Sequence, residues 1–383
     1  MATPRRAIYL DCNATAPLRP EARAVMLGAL DAPGNASSVH GAGRKARDRI
    51  ETARGQVAGL VGASAQRLVF TSGGTEASAL ALASLAAGPA TLSVSATEHD
   101  AVLQTARSLG RTIEVWPVDA NGVADLDWLR DRLSRWTAAD GVPVVALMLA
   151  NNETGVIQPV AEAAGLVHAA GGRLHVDAVQ AAGKIPVDMH PLGADTLALS
   201  AHKLGGPQGA GALVFAEGVK LYPLWQGGGQ EQGLRPGTEN VCAIAGFGAA
   251  ASAATSDLVR LDAMAAWRDD AAGKLKRTGV VVAGEGAPRL PNTLCLAAEG
   301  WESARQVMWL DLGGVQASAG SACSSGKVRP SGVLTAMGLG ARAACGLRAS
   351  GGWATTEDDW SAFADLWLDG YARVTARQRT EVA

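Results

Sequence analysis

The sequence predicts an α/β fold built on a large, mainly parallel β-sheet, with a smaller α+β domain beside it. Three observations carry that expectation. Apolar, β-branched runs recur through the first 215 residues, Ala- and Leu-rich stretches at helical spacing separate most of them, and polar clusters sit just beyond the runs.

In chain order, the strand-like runs are residues 67–70, 91–94, 112–116, 142–149, 173–176, 196–199 and 212–215. The helical stretches between them are 76–87, 101–109, 126–136 and 160–170. Beyond 215 the pattern changes. Residues 226–238, QGGGQEQGLRPGT, are glycine-rich and too irregular for regular structure, and an Ala-rich helical stretch runs from 240 to 275. Strand-like 279–283 and 293–296, helical 302–311 and helical 356–377 make up the smaller domain. The boundaries expected are 15–258 for the large domain, and 1–14 with 259–383 for the small one, which carries a loop at 318–332.

Bulk properties narrow the function. A chain of 383 residues can bury a sizeable core, and two domains are expected. With 34 basic and 36 acidic residues the net charge is −2, which gives no electrostatic footprint for nucleic acid or an anionic membrane surface. No apolar run in the sequence approaches a bilayer span. The opening MATPRRAIYLDCNATAP runs straight into polar residues and lacks a signal-peptide core, so a cytoplasmic location is expected. The cysteines, at 12, 242, 295, 323 and 345, form no C-x-x-C pair and no His/Cys ligand spacing, which argues against a disulfide framework or a metal site.

Open α/β sheets bind ligands beyond the carboxyl ends of their strands, so the residues there carry most weight. Lys203 follows the run 196–199 in SAHKLGG, where partial desolvation would let its amine act as a nucleophile; a surface lysine is the plain alternative. The turn TSGGT (71–75) opens a helix and suits a phosphate, although capping by Thr75 would explain it equally well. His99 could stack on a planar ring and shuttle protons, or simply start a helix. Asn151-Asn152-Glu153 places hydrogen-bonding groups at the same rim. Asp177 ends an apolar strand, where its charge needs a partner such as a protonated ring nitrogen, and Gln180 can reach the same ligand. A phosphate turn, a stacking His, a strand-end Asp and a strand-end Lys are the equipment for pyridoxal phosphate (PLP). No G-x-G-x-x-G turn or P-loop competes with that reading.

The chain resembles the cysteine desulfurases of the NifS/IscS type, within the fold-type I, class V aminotransferase superfamily. The resemblance rests on YLDCNATAP (9–17), GNASSVHGAGR (34–44), VFTSGGTEA (69–77), ATEHDAV (96–102), NNETGVIQP (151–159), HVDAVQ (175–180), SAHKLGGPQG (200–209), GGGQEQGLRPGTENV (227–241) and SAGSACSSG (318–326). It implies the PLP-dependent transferase fold, with a seven-stranded type of sheet in its large domain. It also implies that Lys203 is the Schiff-base lysine, Asp177 the partner of the ring nitrogen and His99 the stacking acid/base. Asn152 and Gln180 would serve the cofactor's phenolic oxygen, while Gly74, Thr75, Ser200 and His202 would bind its phosphate. Thr238 would reach the phosphate of a second copy, so a homodimer is implied. Arg348 would take the substrate carboxylate, with Asn152 and Asn13 nearby; Asn35 also sits in a matching motif.

Cys323 decides the reaction. The small, polar run around it predicts an exposed, mobile loop, and in this family the corresponding thiolate takes sulfur from L-cysteine as a persulfide, leaving L-alanine. The sulfur would pass to an acceptor protein such as an iron–sulfur scaffold or a thio-cofactor pathway. Cys12, Cys242 and Cys345 read as structural. A selenocysteine lyase or another class V enzyme such as an aminotransferase is the alternative, and a silent sulfur carrier that kept the fold is a third. The sequence departs from the family pattern at Gly205, Gln208 and Gly352, and in its short C-terminal end.

Overall fold

The computed structural model describes residues 7–320 and 330–382. Its centre is a seven-stranded sheet ordered Leu68–Thr71, Gly211–Phe215, Thr196–Ser200, Arg173–Asp177, Val142–Ala146, Ala90–Ser95, Thr112–Trp116. Neighbours pair in parallel except Gly211–Phe215, which is antiparallel to the strand on either side of it. Every one of the seven predicted runs is therefore a strand of this sheet, and the sheet is mainly parallel as expected.

Both faces are covered, which explains the nearly unbroken apolar composition of the inner strands. Leu68–Thr71, Thr196–Ser200 and Gly211–Phe215 are buried along their whole length. The predicted run 142–149 is a strand only to Ala146. Its last residues keep the ladder: Leu147 N donates to His175 O (3.0 Å) and Leu149 N to Asp177 O (2.8 Å). Because the other six strands run the same way, the turns at 71–75, 97–99, 150–155, 177–180 and 200–203 all follow strand ends on one rim.

Two helices with no clear sequence signal, Pro20–Leu30 and Gly41–Leu60, pack against Val241–Asp257. The expected single helix over 240–275 is instead Val241–Asp257, a 3-10 turn Leu258–Arg260 and Leu261–Lys276. The interruption lies where the segment leaves one core for another. Ala243, Phe247 and Ala250 belong to the core under the large sheet, and Ala271, Ala272 and Leu275 to a second core. Contrary to the sequence reading, Val241–Lys276 is long and apolar enough by length and composition to cross a membrane, yet ten residues of its first half are buried inside the protein.

The second core lies under a four-stranded antiparallel sheet ordered Ser318–Ala319, Gly346–Ser350, Thr293–Ala297, Val281–Val282. Helices Ser303–Leu312 and Glu357–Val382 close it, with Trp301 stacked on Tyr371 (6.0 Å between ring centroids) and Trp367 on Tyr371 (4.9 Å). The N-terminal segment also joins this part: Ile8–Tyr9 pairs in parallel with Val315–Gln316, and Cys12 N donates to Ser350 O at 3.0 Å.

Candidate active site

A cavity of ≈ 310 Å³ opens on the common rim. Asn13, Gly74, Thr75, His99, Asn152, Asp177, Gln180, Ser200, His202, Lys203 and Arg348 all line it, and Met148, Ala150 and Val179 supply apolar wall. The folding of the sheet thus gathers side chains separated by as many as 335 positions. Thr238 is not among them; it is exposed. Asn35 is exposed too, and its Oδ1 accepts from Ser37 N at 2.8 Å, a local turn contact. Cys323 lies outside the described residues.

Lys203 ends the 3-10 turn Ala201–Lys203 directly after Thr196–Ser200. Its Nζ donates to two backbone carbonyls, Asn13 O (2.7 Å) and Ala14 O (2.8 Å), so the N-terminal segment fixes the amine in place. Asp177 is 7% exposed, and its carboxylate accepts one hydrogen bond among the described residues, from Val179 N at 2.9 Å. Burial pushes its pKa up, against smaller opposing effects of the Val179 N–H, His99 and Lys203. His99 is the N-cap of Asp100–Ser108: its Nδ1 accepts from Ala101 N at 3.1 Å. The helix-start role and the cavity-lining position therefore coexist.

The phosphate-type turn differs from the sequence reading in one detail. The helix Gly74–Leu85 begins at Gly74, its N-cap is Gly73, and no side chain caps it, Thr75 included. The first-turn N–H groups thus keep their capacity for an anion. A Cβ on residue 74 would come within 2.7 Å of Val179 Cγ2, so glycine is what fits there. His202 is held down to about 4, chiefly by burial and then by Lys203 and Lys184, which keeps its ring neutral. Its Nδ1 lies 3.2 Å from Thr15 Oγ1.

Arg348 is 3% exposed and already engaged. Its Nη2 pairs with Asp11 Oδ1 at 2.6 Å, its Nη1 donates to Asn152 O at 3.0 Å, and its buried Nε has no hydrogen-bond partner among the described residues. Asn13 is committed more fully still. Its Nδ2 donates to Thr293 Oγ1 (2.9 Å) and Asn152 O (3.2 Å), and its Oδ1 accepts from Lys184 Nζ (2.8 Å) and Asn292 Nδ2 (3.1 Å). With both amide ends used by the protein, Asn13 organises the cavity wall rather than offering its side chain to a substrate.

Sequence reasoning missed this Asn13 hub, the Asp11–Arg348 pair and the buried Lys184. The one available signal was a lysine inside the apolar run AAGKIPV. The family departure at Gly352 also has a local reason, since a Cβ there would meet Cys12 Sγ at 2.7 Å. Cys12 and Cys295 are buried free thiols whose pKa values burial pushes up to about 12, which makes both poor nucleophiles. Cys345 is buried and Cys242 part-buried.

A family model for aminotransferase class-V matches residues 8–363. The chain belongs to the class-V aminotransferase family. Among curated relatives of this class-V chain, a cysteine desulfurase of Cereibacter sphaeroides is 44% identical over 344 residues, covering 86% of each chain. The cysteine desulfurase IscS of Dictyoglomus turgidum is 37% identical over 98% of this chain and 96% of its own. Among solved structures, a NifS-like protein from Rickettsia africae superposes with a TM-score of 0.88 at 32% identity, over 96% of this chain and all of that one. A structure described as SspA in complex with cysteine superposes with a TM-score of 0.75 at 27% identity, over 89% of this chain and 98% of its own.

Proposed function

We propose that this class-V chain is a PLP-dependent cysteine desulfurase, converting L-cysteine to L-alanine and carrying the sulfur as a persulfide on Cys323. The observation that carries the reading is the meeting of Lys203, Asp177, His99 and the uncapped helix Gly74–Leu85 around one cavity.

The residues present fit PLP. Asp177 is a buried carboxylate short of a cation, which a protonated ring nitrogen would supply. The uncapped helix end, with Gly74 leaving room for close approach, suits the phosphate, and Thr75, Ser200 and neutral His202 add polar groups around it. Lys203 would hold the group covalently, and Asn152 and Gln180 would face its ring oxygen. When bound, PLP supplies an electron sink for the pair released as the substrate C–S bond breaks.

The chain's own residues do the rest. Lys203 must lose a proton before its amine can attack a carbonyl, and the carbonyls of Asn13 and Ala14 hold that amine at a fixed point. Because Nδ1 of His99 accepts from the Ala101 N–H, the proton of the neutral ring sits on Nε2, the nitrogen able to give or take it. Arg348 would bind the substrate carboxylate in exchange for Asp11, with its Nε contributing the unspent donor. In the sulfur step the Cys323 thiolate forms an S–S bond to the substrate sulfur as the C–S bond breaks. The electron pair stays with the carbon fragment, and a proton replaces sulfur there to give alanine.

The finer reading is a cytoplasmic homodimer in which Thr238 of each copy reaches the phosphate of the other. Its sulfur would go to an acceptor protein, an iron–sulfur scaffold or a thio-cofactor pathway. The exposed position of Thr238, outside the cavity of its own chain, supports the homodimer. Incubating the holoenzyme with L-cysteine and a reductant is the test. Sulfide and alanine in equal amounts are expected, and no sulfide from holoenzyme would sink the proposal. Cys323→Ser should retain PLP but form no persulfide; full activity of that variant would point to a selenocysteine-lyase type of route.

A further inference from the structure

Lys184 lies in the turn after Arg173–Asp177, four residues beyond Gln180, and is only 7% exposed. Its Nζ donates to Gln180 Oε1 at 2.6 Å and to Asn13 Oδ1 at 2.8 Å. Both acceptors are neutral amide oxygens. The charged groups acting on it are the cations Lys203, from the turn after Thr196–Ser200, and Arg348, from Gly346–Ser350; Cys12, from the N-terminal segment, is held as a thiol. Arg19, Asp257 and Arg260 line the small space beside it, with Arg19 and Asp257 paired at 2.7 Å. Burying an ammonium without a carboxylate is costly, and burial accordingly pushes Lys184 down to about 7.

What the lysine adds is direction. An amide side chain fits its space in two senses, and only its hydrogen bonds choose between them. A lysine donates and never accepts while protonated, so it demands oxygen from both Gln180 and Asn13. The opposite ends are then fixed: Gln180 Nε2 donates to Asn13 O at 2.9 Å, and Asn13 Nδ2 faces Thr293 Oγ1 at 2.9 Å. That same Asn13 carbonyl receives Lys203 Nζ at 2.7 Å.

We propose that Lys184 is a positioning residue for the Lys203 centre: as a donor-only group it fixes the sense of the Gln180 and Asn13 amides, and so holds the Asn13 carbonyl where the Lys203 amine meets it. The inference rests on the cofactor reading above, in which Gln180 serves the ring oxygen.

A cycle of full-length proteins tests it: wild type, Lys184→Met, Gln180→Ala and the double variant, each loaded with PLP. Retention on dilution and the pH profile of the bound cofactor's absorbance are read. Lys184→Met is expected to weaken retention about tenfold, and the double variant to lose less than the product of the two single losses. The wild-type absorbance should show a step near pH 7, where Lys184 loses its charge, that is missing from Lys184→Met. Unchanged retention, or losses that multiply in the double variant, overturn the proposal. If Lys184→Met does not fold, Lys184→Gln replaces it with the same outcomes. Failure of both to fold while Gln180→Ala folds makes the lysine purely structural and also overturns it. Wild-type protein that takes up no PLP overturns the function proposed above, and this inference with it, before any variant is read.

Discussion

At the scale of single residues, the cavity is held by groups whose ordinary behaviour burial has altered. Lys203 is fixed by two main-chain carbonyls, so its amine has a place before any ligand arrives. Lys203→Ala should bind PLP without covalent attachment and lower kcat by about 10²–10⁴-fold, the usual worth of a positioned proton-transfer group; absorbance and single-turnover rates check it. Asp177→Asn keeps shape but removes the charge, and a loss on the order of 10²-fold in kcat is expected with PLP still bound. His175 offers a pH test away from the chemistry. Fully buried, its ring is pushed down to about 3 from the ordinary 6.5, so the unfolded chain takes up the proton first. This group's stability is intact above pH 6.5 and lost as pH falls toward 3, at about 1.4 kcal/mol per pH unit. Urea unfolding at stepped pH should show that slope, flattened in His175→Asn. The sequence pointed to Asp177 and Lys203 because each ends an apolar run where a charge needs a reason. It was silent on Asn13 as a hub and on Lys184, because their meaning lies in contacts made across 171 positions.

At the scale of elements, strands were legible and two helices were not. The seven runs are rich in Val, Leu and Ile against polar turns, so their contrast is high. Gly41–Leu60 buries Gly43, Ala46, Ala53 and Ala58 beside Ile50 and Val57, and alanine and glycine give little hydrophobic contrast to a helix face. The glycine-rich stretch after 225 was rightly read as irregular, but its anchor was hidden. Glu231 and Gln232 occupy left-handed backbone (φ 46° and 61°), which non-glycine residues adopt at a cost. Glu231 is held there by Arg54, with carboxylate contacts of 2.7 and 2.8 Å, and by the Phe70 N–H at 2.8 Å. Glu231→Gln leaves the buried Arg54 guanidinium with the exposed Glu51 as its remaining carboxylate, and a loss of about 1–3 kcal/mol in unfolding free energy is expected. A chemical denaturation midpoint that does not move would contradict this account of the loop.

At the scale of the whole molecule, the cavity draws on both hydrophobic cores: Asp177 and Lys203 stand on the large sheet, while Arg348 stands on the small one. Thr238 is exposed and outside the cavity of its own chain, and the proposed homodimer would bring it to the phosphate site of a second copy. Sedimentation should therefore give twice the chain's mass, and Thr238→Ala should weaken PLP retention by about 0.5–1.5 kcal/mol without changing that mass. The N-terminal segment ties the two parts together, and it is here that chain order matters. Asn13 N donates to Ser350 Oγ, 337 positions later, and Ile8–Tyr9 finds its strand partner only at Val315–Gln316. During synthesis Asn13, which helps cage Lys203, emerges from the ribosome 337 positions before Ser350, which fixes it. The large sheet can form while the chain is still growing, but the cage cannot close until Ser350 has emerged. Closure of the pocket is thereby a late event in synthesis, so a nascent chain that stops short of Ser350 is expected to fold its sheet and still lack a finished pocket.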